Sequence, residues 1–141
     1  VAGIIDTEKS EQLRDLGRLA DFAKKVERNK AQLNSLLYKL KDEGKRIVGV
    51  SAPAKGMTLL NYCHIDRQIL DYVTEKSKLK IGLYTPGGFI PVHPDSKLLE
   101  DRPDYALLLA WNFAEEIMRN NQTYRDLGGK FIIPIPSPTI R

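Results

Sequence analysis

The sequence predicts an α/β domain: a Rossmann-like, three-layer arrangement with a mostly parallel sheet of four or five strands, preceded by a long N-terminal helix. Two observations predict this class. Short β-branched and apolar runs alternate with segments of helical periodicity, which is typical of right-handed βαβ units and a parallel sheet. In addition, the strand-like run Ile47–Val50 passes into a helix through one tight turn, the unit that directs a helix N-terminus at an anion.

The N-terminal region is predicted to be helical over Thr7–Glu43. Asp6 or Thr7 is the expected cap, Gly17 is a candidate break between a short and a long helix, and Gly44 is the expected end. We therefore divide the chain into a helical segment, 1–44, that connects to an upstream domain, and a Rossmann-like domain, 45–141. The helix prediction depends on apolar residues mostly three, four or seven apart: Leu13, Leu16, Ala20, Ala23, Val26, Leu33, Leu37 and Leu40.

The turn after the first strand carries a weakened dinucleotide-binding fingerprint. The G-x-G-x-x-G/A spacing falls on Gly49, Ser51 and Ala54, so the middle glycine is missing. Pro53 suits the first position of the following helix, with Ala52 as its cap. The spacing alone fits an ordinary turn without a ligand equally well.

The remaining elements follow in alternating order. Strands are predicted at 46–50, 70–75, 104–109 and 130–135, in the spatial order 2-1-3-4, with a short strand from 89–92 at an edge. Helices are predicted at 95–100, with Asp95 as cap, and from 112 to 121 or beyond. The proline-rich segment 136–138 is expected to end the sheet.

In such a sheet, ligands bind where the strand order reverses, beyond the carboxyl ends of the strands. Here that point brings Ser51–Lys55 towards Trp111 and Asn112. Trp111 could stack on a base or sugar or line the core, and Asn112 could contact a ligand or cap a helix. Glu75 could bind ribose hydroxyls or be a solvated carboxylate, and Lys55 could meet a diphosphate or lie on a solvated surface. The candidate substrate-binding residues are Ser51, Ala52, Pro53, Ala54, Lys55, Thr58, Asn61, Glu75, Trp111 and Asn112.

Composition excludes several classes. The net charge of +4 comes from interspersed charges of both signs, so no nucleic-acid partner is expected. Cys63 is the single cysteine, which rules out a disulfide framework or a cysteine-based zinc site. No apolar run suits a membrane span and no signal-peptide pattern is present, so we expect a cytoplasmic location. The His64–Asp66 pair is better explained by turn and capping chemistry than by catalysis.

One longer string is more specific than any of these patterns. GVSAPAKGMTLLNYC, Gly49–Cys63, resembles the C-terminal domain of S-adenosylmethionine-dependent sugar C-methyltransferases, which act on nucleotide-linked keto-deoxysugars. The sequence departs from that family at Val50, Ser51 and His64, where an aromatic residue, glycine and glycine are usual. Further matches occur in the family's order at Lys80–Gly82, Thr85–Gly87, Ile90–Val92, Pro103–Tyr105, Ala110–Asn112 and Gly128–Pro134.

The resemblance implies a substrate-side domain. No catalytic residue, methyl-donor loop or zinc cluster of the family is found here, so S-adenosylmethionine and zinc are expected in upstream domains of a longer chain, and the start at Val1 agrees with a fragment. The whole enzyme would deprotonate the carbon beside a sugar ketone, and this domain would help to hold the nucleotide diphosphate sugar. Two alternatives stay open: a stand-alone nucleotide-binding module and a ligand-free scaffold.

Overall fold

The computed structural model describes residues 2–11, 13 and 15–141. Its helices are α1 (Ala2–Ser10), α2 (Leu16–Asp42), α3 (Ala54–Cys63), α4 (Lys97–Asp101), α5 (Ala114–Asn120) and α6 (Gln122–Asp126), with a 3-10 turn at Trp111–Phe113. Its strands are β1 (Ile47–Val50), β2 (Val73–Glu75), β3 (Val92–Pro94), β4 (Tyr105–Leu108), β5 (Lys130–Ile133) and β6 (Thr139–Ile140).

The six strands form one sheet in the order β3-β2-β1-β4-β5-β6. The first five are parallel, and β6 pairs antiparallel with β5. This confirms the predicted order, with a short strand at one edge, although that strand is β3 (Val92–Pro94) and not 89–92 as predicted. The prediction missed β6, because the prolines that precede it do not prevent pairing at the outer edge, where a strand needs only one partner. Among the described residues, no helix is both long and apolar enough to cross a membrane.

Helices cover both faces of the sheet and make the predicted three layers. On one face, α2 and α3 bury Leu33, Leu37 and Leu60 against the strands. On the other face, α4, α5 and α6 bury Leu98, Met118 and Tyr124. The central strands β1 and β4 are buried on both faces, as their continuous apolar runs predict for a parallel sheet.

The N-terminal helix prediction was wrong in its bounds. The chain forms two helices, because the side chain of Asp15 accepts a hydrogen bond from the backbone N–H of Arg18 and so caps the N-terminus of a second helix, α2. The break therefore precedes Gly17, which lies in the first turn of α2. The proposed caps Asp6 and Thr7 lie inside α1. The part of the predicted helix at Gln12 and Arg14 lies outside the described residues.

Other elements also begin or end a few residues from their predicted bounds. The second strand begins at Val73 and not at Leu70, because the N–H of Leu70 is bound in a turn by the carbonyl of Asp66. Pro53 is the cap of α3 rather than its first residue. Helix α4 begins at Lys97 with Ser96 as its cap. The last predicted helix is a 3-10 turn followed by α5 and α6, and the strands predicted at 104–109 and 130–135 are shorter at their ends.

Two helices end in the same hydrogen-bonded turn but with different residues. After α2, Gly44 has φ +74°, its N–H donates to Lys41, and the next N–H donates to Leu40. After α3, His64 takes the equivalent place with φ +56°, and the N–H of Ile65 donates to a carbonyl of the last turn. This is the Schellman motif, in which glycine adopts the left-handed conformation without steric cost.

His64→Gly is therefore expected to raise the free energy of unfolding by about 0.5–1 kcal/mol, the strain released less the entropy that glycine adds to the unfolded chain. Gly44→Ala is the matched control and should lower it by a similar amount. Urea denaturation at neutral pH measures both. A destabilised His64→Gly variant would show that the imidazole, rather than the backbone, is the stabilising group at this position.

Candidate functional site

The turn between β1 and α3 approaches the sheet very closely. Ser51 adopts φ +69°, a left-handed conformation at the position where the resembling family has glycine. One turn later, a Cβ added to Gly56 would lie 2.7 Å from Cβ of Leu109 and 3.2 Å from its carbonyl oxygen. Gly56 thus lets the start of α3 rest on the end of β4. The sequence analysis missed this role, although a glycine inside a predicted helix is a signal for close backbone contact.

A salt-bridged pair holds both backbone groups of Ala52. Glu75 Oε2 accepts the N–H of Ala52 at 3.2 Å, and Lys80 Nζ donates to the carbonyl of Ala52 at 2.9 Å. The two side chains pair at 3.1 Å, and Glu75 Oε1 accepts the N–H groups of Lys76 and Ser77. We call Glu75 and Lys80 the turn clamp. A carboxylate of the protein itself is therefore bound at the N–H of Ala52 in this turn.

Burial raises the pKa of the Glu75 carboxyl, but the N–H groups of Ser77 and Lys76 and the Lys80 ammonium outweigh it, so the net pKa lies below the ordinary value of 4.5. A lowered folded-state pKa contributes stability above the unfolded pKa, and this stability is lost as the pH falls through the folded value. The turn clamp is thus a source of acid sensitivity.

Glu75→Gln is expected to lower the free energy of unfolding at pH 7 by about 1–3 kcal/mol, since charged hydrogen bonds to the turn are lost. The difference from wild type should shrink as the pH falls below 4.5, because the Glu75 carboxyl becomes protonated and is then neutral, as glutamine is at every pH. Urea denaturation between pH 3 and 7 checks this. Over about 4 pH units, the titration of one carboxyl can change the free energy of unfolding by more than the expected difference. A difference that stays constant across that range would contradict the charge-based role.

Lys55 and two aromatic rings form the exposed side of the site. Lys55 Nζ lies 5.0 Å from the centroid of Trp111 and 5.7 Å from that of Phe113. Trp111 is half-buried against the core, and Phe113 is exposed. The structure thus brings together Lys55 and Trp111, as the switch-point argument expected.

A cleft of about 230 Å³ opens beyond the carboxyl ends of β1 and β4. It is lined by Ser51 and Ala110 from the two strand ends, and by carboxylates, amides and one ammonium from surrounding segments: Glu75, Lys76, Asp95, Glu116, Asn120 and Asn121, with Val50, Phe113 and Ile117. Asp95, Glu116 and the asparagines were not predicted as site residues from the sequence. They come from distant segments, and no local spacing relates them to the turn.

Three candidate residues have other local contacts. Thr58 Oγ1 donates to the carbonyl of Ala54 within α3. Asn61 Nδ2 donates to Met57 and, at 3.3 Å, to Pro86, so it ties the end of α3 to the following loop. Asn112 is exposed, and the cap of the 3-10 turn is Ala110, without a side-chain bond. Whether these residues bind substrate stays a prediction.

The described residues do not fit a metal site. They contain no group of three or more His, Cys, Asp or Glu side chains placed to hold an ion. Cys63 is buried, and burial raises the pKa of its thiol. The thiol therefore suits a core position and is a poor ligand or nucleophile. Asp66 accepts the N–H of Gln68, which is the turn chemistry expected of it.

Comparison with known proteins agrees with this architecture. Residues 1–136 match the family described as C-methyltransferase C-terminal domain. The chain is 36% identical over 140 residues to C-methyltransferase NovU of Streptomyces niveus, and the match covers 99% of this chain and 33% of that protein. It therefore spans one third of the length of this curated relative. The chain belongs to the C-methyltransferase C-terminal domain family.

Proposed function

We propose that this domain binds a nucleotide diphosphate sugar, and that it does so as the substrate-side part of a longer, S-adenosylmethionine-dependent C-methyltransferase acting on keto-deoxysugars. The observation that carries the proposal is the contact of Lys55 with Trp111 and Phe113 at the switch point of the sheet, where Phe113 also lines the cleft. Open α/β sheets bind their ligands at this place.

The chemistry of the site suits the three parts of such a ligand. Lys55 offers a cation for the diphosphate beside the positive end of α3. The exposed ring of Phe113 and the half-buried Trp111 offer faces for a base or sugar. Carboxylates and amides of the cleft can accept from, and donate to, hydroxyl groups of a sugar.

A stand-alone dinucleotide-binding module is the weaker candidate. The turn clamp puts a carboxylate at the N–H of Ala52, and Ser51 carries a Cβ where such modules need glycine for the approach of a pyrophosphate. Both features disfavour a pyrophosphate directly on the turn. They do not disfavour a pyrophosphate at Lys55, in the first turn of α3.

The donor chemistry belongs to the part of the longer protein outside this chain. We propose that upstream domains of the same polypeptide bind S-adenosylmethionine and zinc, as the resemblance to sugar C-methyltransferases implies. Accordingly, this chain incubated with labelled S-adenosylmethionine and keto-sugar nucleotides should transfer no methyl group above a no-protein control. Methyl incorporation above that level would contradict the proposal that the methyl donor is bound outside this chain.

Titration by ¹H–¹⁵N NMR tests ligand binding. The probes are uridine, thymidine and guanosine diphosphate hexoses, with inorganic diphosphate as the charge control. At least one nucleotide sugar should shift the amides of residues 51–55 and the indole N–H of Trp111, while α1 amides stay unchanged. If no sugar nucleotide shifts any amide, the domain is a ligand-free scaffold; shifts confined to other residues would contradict this site and place the ligand elsewhere on the domain.

A further inference from the structure

We infer that a groove beside α2 is the docking surface for the preceding part of a longer polypeptide. The inference rests on the proposed function, in which this domain is one part of a larger enzyme. The groove lies between α2, α3 and the segment after β5, and its apolar wall consists of Phe22, Val26, Leu59, Ile135 and Pro136. We call it the α2 groove. None of its described lining residues belongs to the turn clamp or to the cleft beside it.

The first part of α2 presents an apolar stripe that nothing in the described chain covers. Leu16, Leu19 and Phe22 lie three residues apart and are 80%, 50% and 65% exposed. The same helix continues as Leu33, Leu37 and Leu40, which are buried in the core. Residues three or four apart share one side of a helix, so the exposed stripe is continuous with the α2 groove, which Phe22 also lines.

The groove is preformed rather than a gap between loose segments. Asn29 Nδ2 donates to the carbonyls of Pro134 at 2.8 Å and Pro136 at 2.9 Å, and thereby ties the chain after β5 to α2. On the other side, the hydroxyl of Tyr62 donates to Glu27, which links α3 to α2. The open groove has a volume of about 570 Å³, enough for several apolar side chains of a partner.

The charges around the groove define the chemistry of its occupant. Lys25 and Arg28 line it, and no carboxylate is among its described lining residues. A partner that fits therefore presents aliphatic or aromatic side chains flanked by aspartate or glutamate. Apolar anchors with complementary charges at the rim are the usual composition of a specific interface.

The preceding part of a longer chain is the occupant that the comparisons favour. Two thirds of the Streptomyces niveus relative lie outside the region that matches this chain, and the family is described as a C-terminal domain. A preceding domain would join the polypeptide before α1, at the end of the molecule where the stripe is exposed. Its attachment raises the effective concentration at the groove without any further contact.

Hydrogen exchange on the full-length polypeptide and on this chain tests the inference, without any ligand. Amides of residues 16–28 should exchange at least about tenfold more slowly in the full-length protein, since docking stabilises this part of α2 by about 1.4 kcal/mol or more. Phe22→Glu should abolish the added protection. Tyr38→Glu is the matched control, because Tyr38 is an aromatic residue of the same helix, 53% exposed and outside the groove.

Three results would overturn the inference. Equal exchange in the two proteins would mean that nothing covers the groove. Protection retained in full-length Phe22→Glu would place the contact elsewhere. Protection in this chain alone that grows with concentration, and that Phe22→Glu removes, would make the groove an interface between two copies. Circular dichroism establishes that each variant is folded, and the NMR titration with sugar nucleotides reports separately on the proposed function.

Discussion

Gly56→Ala is expected to lower the free energy of unfolding by about 1–3 kcal/mol, the cost of overfilling a well-packed contact. The added methyl would lie 2.7 Å from Cβ of Leu109, and the opposing atoms include a backbone carbonyl that cannot rotate away. Helix α3 must therefore move off the end of β4. Because Lys55 precedes Gly56, the movement would also separate Lys55 from Trp111 and weaken ligand binding.

Urea denaturation at neutral pH measures the first effect, and NMR titration with a sugar nucleotide measures the second. Gly3→Ala is the matched control: Gly3 lies in α1, and an added Cβ would meet no described atom within 4 Å beyond its chain neighbours and the backbone of its own helix. Alanine there should stabilise by up to about 1 kcal/mol, as its helix propensity predicts. If Gly56→Ala is as stable as wild type, α3 does not depend on close contact with β4.

Lys55→Ala is expected to weaken nucleotide-sugar affinity by roughly ten- to a hundredfold, since a hydrogen bond to a charged group contributes about 1.5–3 kcal/mol. Stability should fall only slightly, by about 0.5–1 kcal/mol, the value of an exposed cation–π contact. Titration calorimetry with a nucleotide sugar gives the affinity, and thermal unfolding gives the stability.

The chain provides a matched control for this variant. Lys30 Nζ lies 4.6 Å from the ring centroid of Tyr62, a comparable contact away from the cleft. Lys30→Ala should reduce stability to a similar extent and leave affinity unchanged. Equal affinities for wild type and Lys55→Ala would mean that Lys55 is a solvated surface residue without a role in binding. The phosphate contact would then lie at another cation of the domain.

The order of elements was predictable from local signals. Unbroken apolar runs predicted the strands Ile47–Val50 and Tyr105–Leu108, because strands of a parallel sheet are buried on both faces. Gly44 marked a helix end, because few other residues tolerate its conformation. The motif Gly49–Cys63 led to the family that the comparison of residues 1–136 supports.

The site was predictable only in part. The meeting of Lys55 with Trp111 followed from strand order alone, since the carboxyl ends of parallel strands share one edge of a sheet. The turn clamp did not follow, because nothing in the local sequence shows that Lys80 folds back onto Ala52 and holds Glu75 there. Asp95 and Glu116 reach the cleft from segments without any shared spacing.

By itself, the sequence determined the α/β class, the parallel order of the central strands and the family, because these depend on periodicity and on residues adjacent in the chain. Only the tertiary structure decided which polar groups are already paired and which surfaces stay uncovered. Leu16, Leu19 and Phe22 have the same periodicity as the buried Leu33 and Leu37. What separates them is how far α2 extends beyond the sheet, a long-range property that the pattern of a single helix does not contain.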